Sequence, residues 1–341
     1  LAFYQTAHQG QSRTPDLAVP YRDYIAWLQQ QDAAAAETFW RTYLEGVTAP
    51  TQLPNCTQSQ PAGSSYGEHH VELSSDVTRA LTNLAQAERV TLNTIVQAAW
   101  GMVLAHFGGT DEVVFGITVA GRPHDLVGVE SIMGVFINTL PLRVRLSPET
   151  KLTNWLREIQ SSNIELRQYE HTPLVQVQSW SGMDRRTPLF ETIVVFQNYP
   201  LDDAVEDYQQ SLGIDVIRAE GSTNYAITID AIPGTQLRLT FSYDKQRIDD
   251  STMHLMADHV VLLMEGMAAY PEARLADLPI LTPAERTQLL IEWNATETKP
   301  FDDRCISEIF EAQVERTPDV IAVGYRNQRV SYRALNHRAN R

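Results

Sequence analysis

An α/β fold built on a mixed sheet is what the sequence predicts, and three observations predict it. Stretches with helical and with strand periodicity interleave along the chain instead of segregating. Short runs rich in Val, Ile, Phe and Thr, such as EVVFGITVA at 112–120 and TIVVF at 192–196, have strand composition. Two alternating runs, 225–232 and 236–243, flank Pro233-Gly234-Thr235, a hairpin pattern that requires at least one antiparallel pair.

Residues 21–31 (YRDYIAWLQQQ) and 33–44 read as helices, the first with Tyr24, Trp27 and Leu28 on one face and the second with Phe39, Trp40 and Tyr43. From 46 to 67 Pro, Thr, Gln, Ser and Gly take over, which reads as a linker. A strand at 68–73 then meets Ser74 and Ser75, either of which can cap a helix through Val77, Leu81 and Leu84. The next helix, 92–107, aligns Leu92, Ile95, Val96, Ala99 and Val103 and stops at Gly108-Gly109. Strands follow at 112–120 and 135–144, the latter with Pro141 marking an edge or a bulge. A helix at 152–166 carries Leu152, Trp155, Leu156 and Ile159, and one at 251–269 carries Leu255, Met256, His259, Leu263 and Met267. Beyond them, Thr282-Pro283-Ala284-Glu285 is a capping box opening a short helix to Trp293. A polar connector (294–303), a helix (306–315), strands at 321–325 and 329–332 and a helix from Arg333 complete the chain.

Bulk properties exclude several classes of function. The formal charge is −15 over 341 residues and Lys and Arg are scattered, so no stripe can neutralise successive phosphates, and nucleic-acid binding is not expected. Cys56 and Cys305 are far apart, in no metal-ligand spacing, which predicts neither a zinc site nor a disulfide framework and points to a reducing, cytoplasmic setting. No apolar run approaches the ~18 residues of a membrane span. His254 and His259 stand five apart without a following Glu, and no Gly-x-Ser-x-Gly, Walker or GxGxxG pattern occurs. Leu1 opens the chain inside what reads as an element already under way (1–11), and the last helical pattern reaches Arg341 without a cap. Both ends are therefore expected to lie within a longer polypeptide.

Four stretches carry a family resemblance: YRDYIAWLQ from Tyr21; VAGRPHDLVGVESIMGVFINTLPLRV at 119–144; EHTPLVQVQSWSGMDRRTPLFETIVVFQNYP at 170–200; and the region from Ala273 to Arg341, with ARLADLPILTPAERTQLLIEWNATE and IFEAQVERTPDVIAVGYRNQRVSYRALNHRANR. In this order they resemble the later motifs of a non-ribosomal peptide synthetase condensation domain and its junction with an adenylation domain. The resemblance implies a two-lobed fold similar to chloramphenicol acetyltransferase, with a tunnel between the lobes. Into that tunnel peptidyl carrier domains deliver aminoacyl and peptidyl thioesters on phosphopantetheine arms. It implies that 1–45 end the N-terminal lobe, 46–64 link the lobes, 65–278 form the C-terminal lobe, 279–300 are a second linker and 301–341 begin the adenylation domain. No cofactor bound directly is implied; the partners are the carrier domains and the adenylation domain of the same chain.

The family's catalytic signature, His-His-x-x-x-Asp-Gly, does not occur in this sequence. His69 and His70 are followed by VELSSDV, which misplaces the Asp and lacks the Gly, and both read as strand residues. No catalytic residue is assigned, and these residues alone are expected to be inactive. Among the matched positions, Asn138 is where the family's Asn faces the tunnel, with Gly134 and Thr139 beside it. Tyr21, Asp23 and Trp27 match a motif expected to be structural. Arg122 and Arg186, in Gly-Arg-Pro and Arg-Arg-Thr-Pro, are candidates for contact with a carrier and otherwise ordinary loop arginines. Two other readings stay open: a condensation-like module that only recruits a partner, and a heterocyclising variant.

Overall fold

The computed structural model describes residues 19–54, 66–123, 125–184, 186–197, 223–296 and 304–341. The expected element at 1–11, Cys56, most of the first linker and part of the connector after Asn294 lie outside them. The described residues fall into two compact units divided between Thr282 and Pro283. In chain order the first contains α1 (Tyr21–Leu28), α2 (Ala33–Tyr43), β1 (Tyr66–Glu72), α3 (Ser75–Glu88), α4 (Leu92–Gly108), β2 (Glu112–Val119), β3 (Asn138–Arg145), α5 (Leu152–Arg167), α6 (Leu174–Trp180), β4 (Thr192–Phe196), β5 (Ile227–Ile232), β6 (Arg238–Asp244) and α7 (Asp250–Ala269). The second holds α8 (Pro283–Thr287), a π-helical turn (Gln288–Glu292), α9 (Ile306–Arg316), β7 (Ile321–Tyr325), β8 (Gln328–Ser331) and α10 (Tyr332–Ala339).

One sheet organises the first unit, in the order β1-β6-β5-β4-β2-β3. β4 runs parallel to both β2 and β5, whereas β1/β6, β5/β6 and β2/β3 are antiparallel, so the sheet is mixed, as the interleaved sequence pattern requires. The hairpin around Pro233-Gly234-Thr235 forms, with Ile232 opposite Arg238. Helix α4 is buried on every side from residue 94 to 105 because it lies between β2 and the helices α3, α5 and α7. Thr91 Oγ1 caps its start by accepting from Thr94 N–H at 3.2 Å, and Ser74 rather than Ser75 caps α3. Trp100, fully buried on α4, donates its indole N–H to Thr192 Oγ1 at 3.1 Å, tying the helix to the central strand β4. Each such large apolar side chain contributes about 1.5–3 kcal/mol by burial.

The end of α2 is fastened to the sheet edge by Arg143 on β3. Its Nε donates to Glu112 Oε1 at 2.7 Å, and Nη1 donates to the carbonyls of Tyr43 (2.9 Å) and Glu45 (2.8 Å). The Tyr43 hydroxyl accepts the Arg143 backbone N–H at 2.9 Å. Burial pushes the Tyr43 phenol up to about 12, against the lowering influence of Arg143.

Three elements differ from the sequence expectation. β3 starts at Asn138 rather than at residue 135, because β2 ends at Val119, directly opposite Asn138. Helix α6 has no counterpart in the periodicity: its Leu, Val and Val positions behind Pro173 have extended-chain composition, but the segment closes a helical turn and buries Val177. The helix expected from 283 to 293 is α-helical only to Thr287 and continues as a π turn. His69 and His70 lie in β1, as their strand pattern predicts; His69 faces His254 of α7 at 4.2 Å between ring centroids.

In the second unit β7 and β8 pair around Arg326 and Asn327, with Arg326 in the left-handed region that a two-residue hairpin turn demands. Ser331 caps α10, and the Cys305 N–H donates to the Glu308 carboxylate at 2.9 Å at the start of α9.

Candidate functional site

After β2 the chain runs through a loop (121–137) before returning as β3. Gly121 begins it with φ +63°, and an added Cβ there would collide with the Phe136 carbonyl oxygen. The loop has its own small core, Tyr24, Val129, Ile132 and Phe136, supplied jointly with α1. The Tyr21 ring packs against Gly134, where any side chain would strike it, and its hydroxyl donates to the Val135 carbonyl at 2.5 Å. Arg122 closes the loop from within. It donates to the Val129 carbonyl and, at 3.3 Å, to that of Ile132, and its guanidinium sits 4.1 Å over the Phe136 ring. Arg122 is therefore half-buried and bonded into the loop, not an ordinary solvated loop arginine.

Behind this wall opens a cleft of about 1080 Å³ at the carboxyl ends of the adjacent parallel strands β2 and β4. In α/β sheets ligands bind characteristically outside such strand ends. Residues 117–120 and Phe196 form its base, α4 and α5 its floor, and Trp27, Arg122 and His171 parts of its walls. Trp27 Nε1 donates to Asp125 Oδ2 at 3.0 Å, while its ring meets His171 edge-on at 5.7 Å. Burial holds the His171 imidazole below the usual histidine range, opposed by the nearby Asp125 carboxylate. The His171 imidazole, the Trp27 indole and the Asp125 carboxyl group thus share one wall.

Gly134 and Trp27 line the cleft, whereas Asn138 and Thr139 stand behind it. Asn138 Nδ2 donates to the carbonyls of Glu170 (2.9 Å) and Thr172 (2.7 Å), and its Oδ1 accepts the Thr139 N–H at 2.9 Å. Both amide hydrogens are committed to the α5–α6 corner, which fixes the backbone on either side of His171. The Thr139 side chain bonds the Tyr225 hydroxyl. Asp23 is exposed and sits 3.7 Å from Arg22. Arg186 is exposed and outside the cleft, its backbone N–H donating to Asp184 Oδ1 at 2.9 Å. Sequence reasoning does not single out His171, Asp125, Asn93, Gln160 or Asn163. The signal for His171 is its place inside the EHTP stretch of the third motif and that for Asp125 its place in the second; Asn93, Gln160 and Asn163 carry none.

Comparison with known proteins matches the chain to the Condensation domain family over residues 1–290. It is 43% identical over 323 residues to a linear gramicidin synthase of Brevibacillus parabrevis, covering 94% of this chain and 4% of that protein. The chain thus spans a small part of the length of that relative. Among solved structures, the nonribosomal peptide synthetase FmoA3 superposes with a TM-score of 0.77 at 19% identity, over 98% of this chain and 36% of its own. The starter condensation domain of rhizomide synthetase RzmA, in complex with C8-CoA and Leu-SNAC, superposes with a TM-score of 0.64 at 18% identity, over 82% and 63%. These likenesses bear out the two-lobed condensation fold class, with its mixed sheet and flanking helices. The chain belongs to the condensation-domain family.

Proposed function

We propose that these residues form part of a condensation domain that joins carrier-bound aminoacyl or peptidyl thioesters through an amide bond, and that the cleft receives a pantetheine arm. One observation carries this reading. Three family motif stretches, far apart in sequence, converge on a single cleft through Trp27, through residues 119–137 and through His171. The rhizomide domain's complex with C8-CoA supports it, since CoA ends in the same pantetheine that a carrier displays. The reading extends to the domain boundaries: 1–45 closing an N-terminal lobe, 46–64 a linker, 65–278 the C-terminal lobe, 279–300 a linker and 301–341 the start of an adenylation domain. The break between Thr282 and Pro283 falls near the start of the 279–300 linker and supports a division there. It also places the chain in the cytoplasm; among the described residues no single helix is long and apolar enough to cross a membrane.

A thioester is already activated, and an α-amine of pKa ~7.7–8.0 is partly neutral near pH 7. Such a reaction needs two arms held together, one proton removed and an oxyanion stabilised. The side chains in this cleft serve the first need. Asn138 is a positioning residue that holds the His171 corner, Gly134 lets the wall close on Tyr21, and Arg122 and Arg186 are the candidates for carrier contact. No residue of this cleft is assigned the proton transfer: the family assigns it to a His-His-x-x-x-Asp-Gly motif, which does not occur in this sequence. In a synthetase containing this chain, Asn138→Ala should slow condensation between loaded carriers on the order of tenfold while leaving the fold intact. The 341 residues alone should give no turnover. An unchanged rate in the variant, or product from the chain alone, would refute these assignments.

A further inference from the structure

Helix α1 and the 121–137 loop pack on each other apart from the rest of the sheet unit. Their side chains Tyr24, Val129, Ile132 and Phe136 form a cluster of their own, and no described residue of α1 or of this loop belongs to the main core. The hydrogen bonds from Tyr21 to Val135 and from Trp27 to Asp125 also run between α1 and the loop. The loop is tied to the sheet at its two stems, Gly121 after β2 and Asn138 at the start of β3. Where this wall closes on the α5–α6 corner, the Trp27 and His171 rings meet with centroids 5.7 Å apart and planes at 88°. Both rings line the cleft. From behind, Asn138 holds the Glu170 and Thr172 carbonyls, which fixes the backbone around His171.

A wall with a core of its own, meeting its neighbour through an imidazole, is built to respond to protons. We propose that the Trp27–His171 contact is a proton-sensitive catch for this wall: neutral His171 holds α1 and the loop against the α5–α6 corner, and its protonation releases them. The imidazolium would sit half-buried against an indole, and the carboxylate that favours it, Asp125, already accepts the indole N–H. Glu170, next to His171 in the chain, acts on the Tyr24 phenol, Arg122 is bonded to loop carbonyls, and Glu130 and Arg167 line the same cleft. Burial outweighs Asp125 and keeps the ring of the closed wall below the ordinary histidine value of 6.5, which a hydrated ring in the open wall regains. Closure is therefore fully supported above 6.5 and loses support as pH falls from there toward the depressed value. The catch does not depend on what the cleft receives, so its failure leaves the condensation reading standing.

The test is fluorine NMR of the whole 341-residue chain labelled with fluorotryptophan, the Trp27 signal being assigned by Trp27→Phe. The shift difference of that signal between light and heavy water, which grows with exposure of the ring, is followed from about pH 7.5 to about pH 5.5, above the range in which exposed carboxyls titrate. In the wild type it should be level above 6.5 and climb toward the free amino acid's value below it. His171→Phe keeps a ring against Trp27 and cannot titrate, so its isotope shift should stay level throughout; His171→Gln carries the same reading if the Phe variant does not fold. Asp125→Asn keeps an acceptor for the indole and removes the charge that favours the imidazolium, so its climb should be larger than in the wild type. His124 lies outside the described residues and serves as the control: His124→Gln should leave the climb in place. An isotope shift that stays level with pH in the wild type overturns the proposal. So does a climb that persists in His171→Phe, or one that Asp125→Asn or His124→Gln abolishes.

Discussion

Arg143→Ala is expected to lower the unfolding free energy of the sheet unit by about 2–3 kcal/mol, the scale of a few lost charge-assisted hydrogen bonds, with Glu112 still paired to Arg145. The Arg143 side chain is 10% exposed and joins Glu112 to two carbonyls at the end of α2. Removing it strands those carbonyls and loosens the end of α2, which carries Trp40 and Leu44 at 0% exposure, on the sheet edge. The same pair sets a pH dependence. Hydrogen bonding from Arg143, aided by Arg145 and opposed by burial, holds the Glu112 carboxyl below its usual range. Its contribution is therefore complete above the unfolded value, near 4.3, and is lost as pH falls through the depressed folded value. Urea midpoints from pH 7 down to pH 3 should fall at the acid end in the wild type and fall less in Arg143→Ala. A midpoint at pH 7 that Arg143→Ala leaves in place would show that packing and the Tyr43 hydroxyl's bond to the residue 143 backbone hold α2 without the guanidinium.

Gly121→Ala should open the cleft wall without melting the sheet. Left-handed backbone costs a residue with a Cβ about 1–2 kcal/mol, and here the added carbon also meets a backbone carbonyl that no rotamer change can move. The 121–137 loop is the element that must shift. Its amides at Val129 and Ile132, bonded to the Leu126 and Val129 carbonyls, report on it directly. Their hydrogen exchange should quicken about 30-fold or more, corresponding to ~2 kcal/mol, while the β5 and β6 amides keep their protection. Equal exchange at Val129 and Ile132 in both proteins would mean that the loop adapts at little cost.

Local periodicity makes the layers legible in the sequence. Apolar positions recurring each turn mark α4 and α7, and alternation around Pro233-Gly234-Thr235 marks β5 and β6. Periodicity fails where one residue's neighbours decide its state. Residues 135–137 have strand composition, yet Val119 ends the strand they would have paired with. Leu174–Trp180 carries valines that favour a strand, yet Pro173 and the preceding corner start a helix. The candidate site is legible only in part. Gly134 and Trp27 lie in matched motifs and do line the cleft. Asn138 can be located by its motif, but that its amide faces the α5–α6 corner is a tertiary fact. The Trp27–Asp125–His171 wall joins residues some 98 and 46 positions apart, and nothing local to any of them marks the others.

The central claim, that the cleft at the ends of β2 and β4 admits a carrier's arm, is open to one direct measurement. A carrier domain whose pantetheine ends in a diazirine is photolysed with this chain, and the adducts are mapped by peptide mass spectrometry. The account predicts adducts on Trp27, on residues 117–120 and 134–137, and on the segment from Gln160 of α5 to His171 in the turn after it. Adducts confined to the strand face that bears Glu68, His70 and Thr240, with none on these peptides, would contradict it.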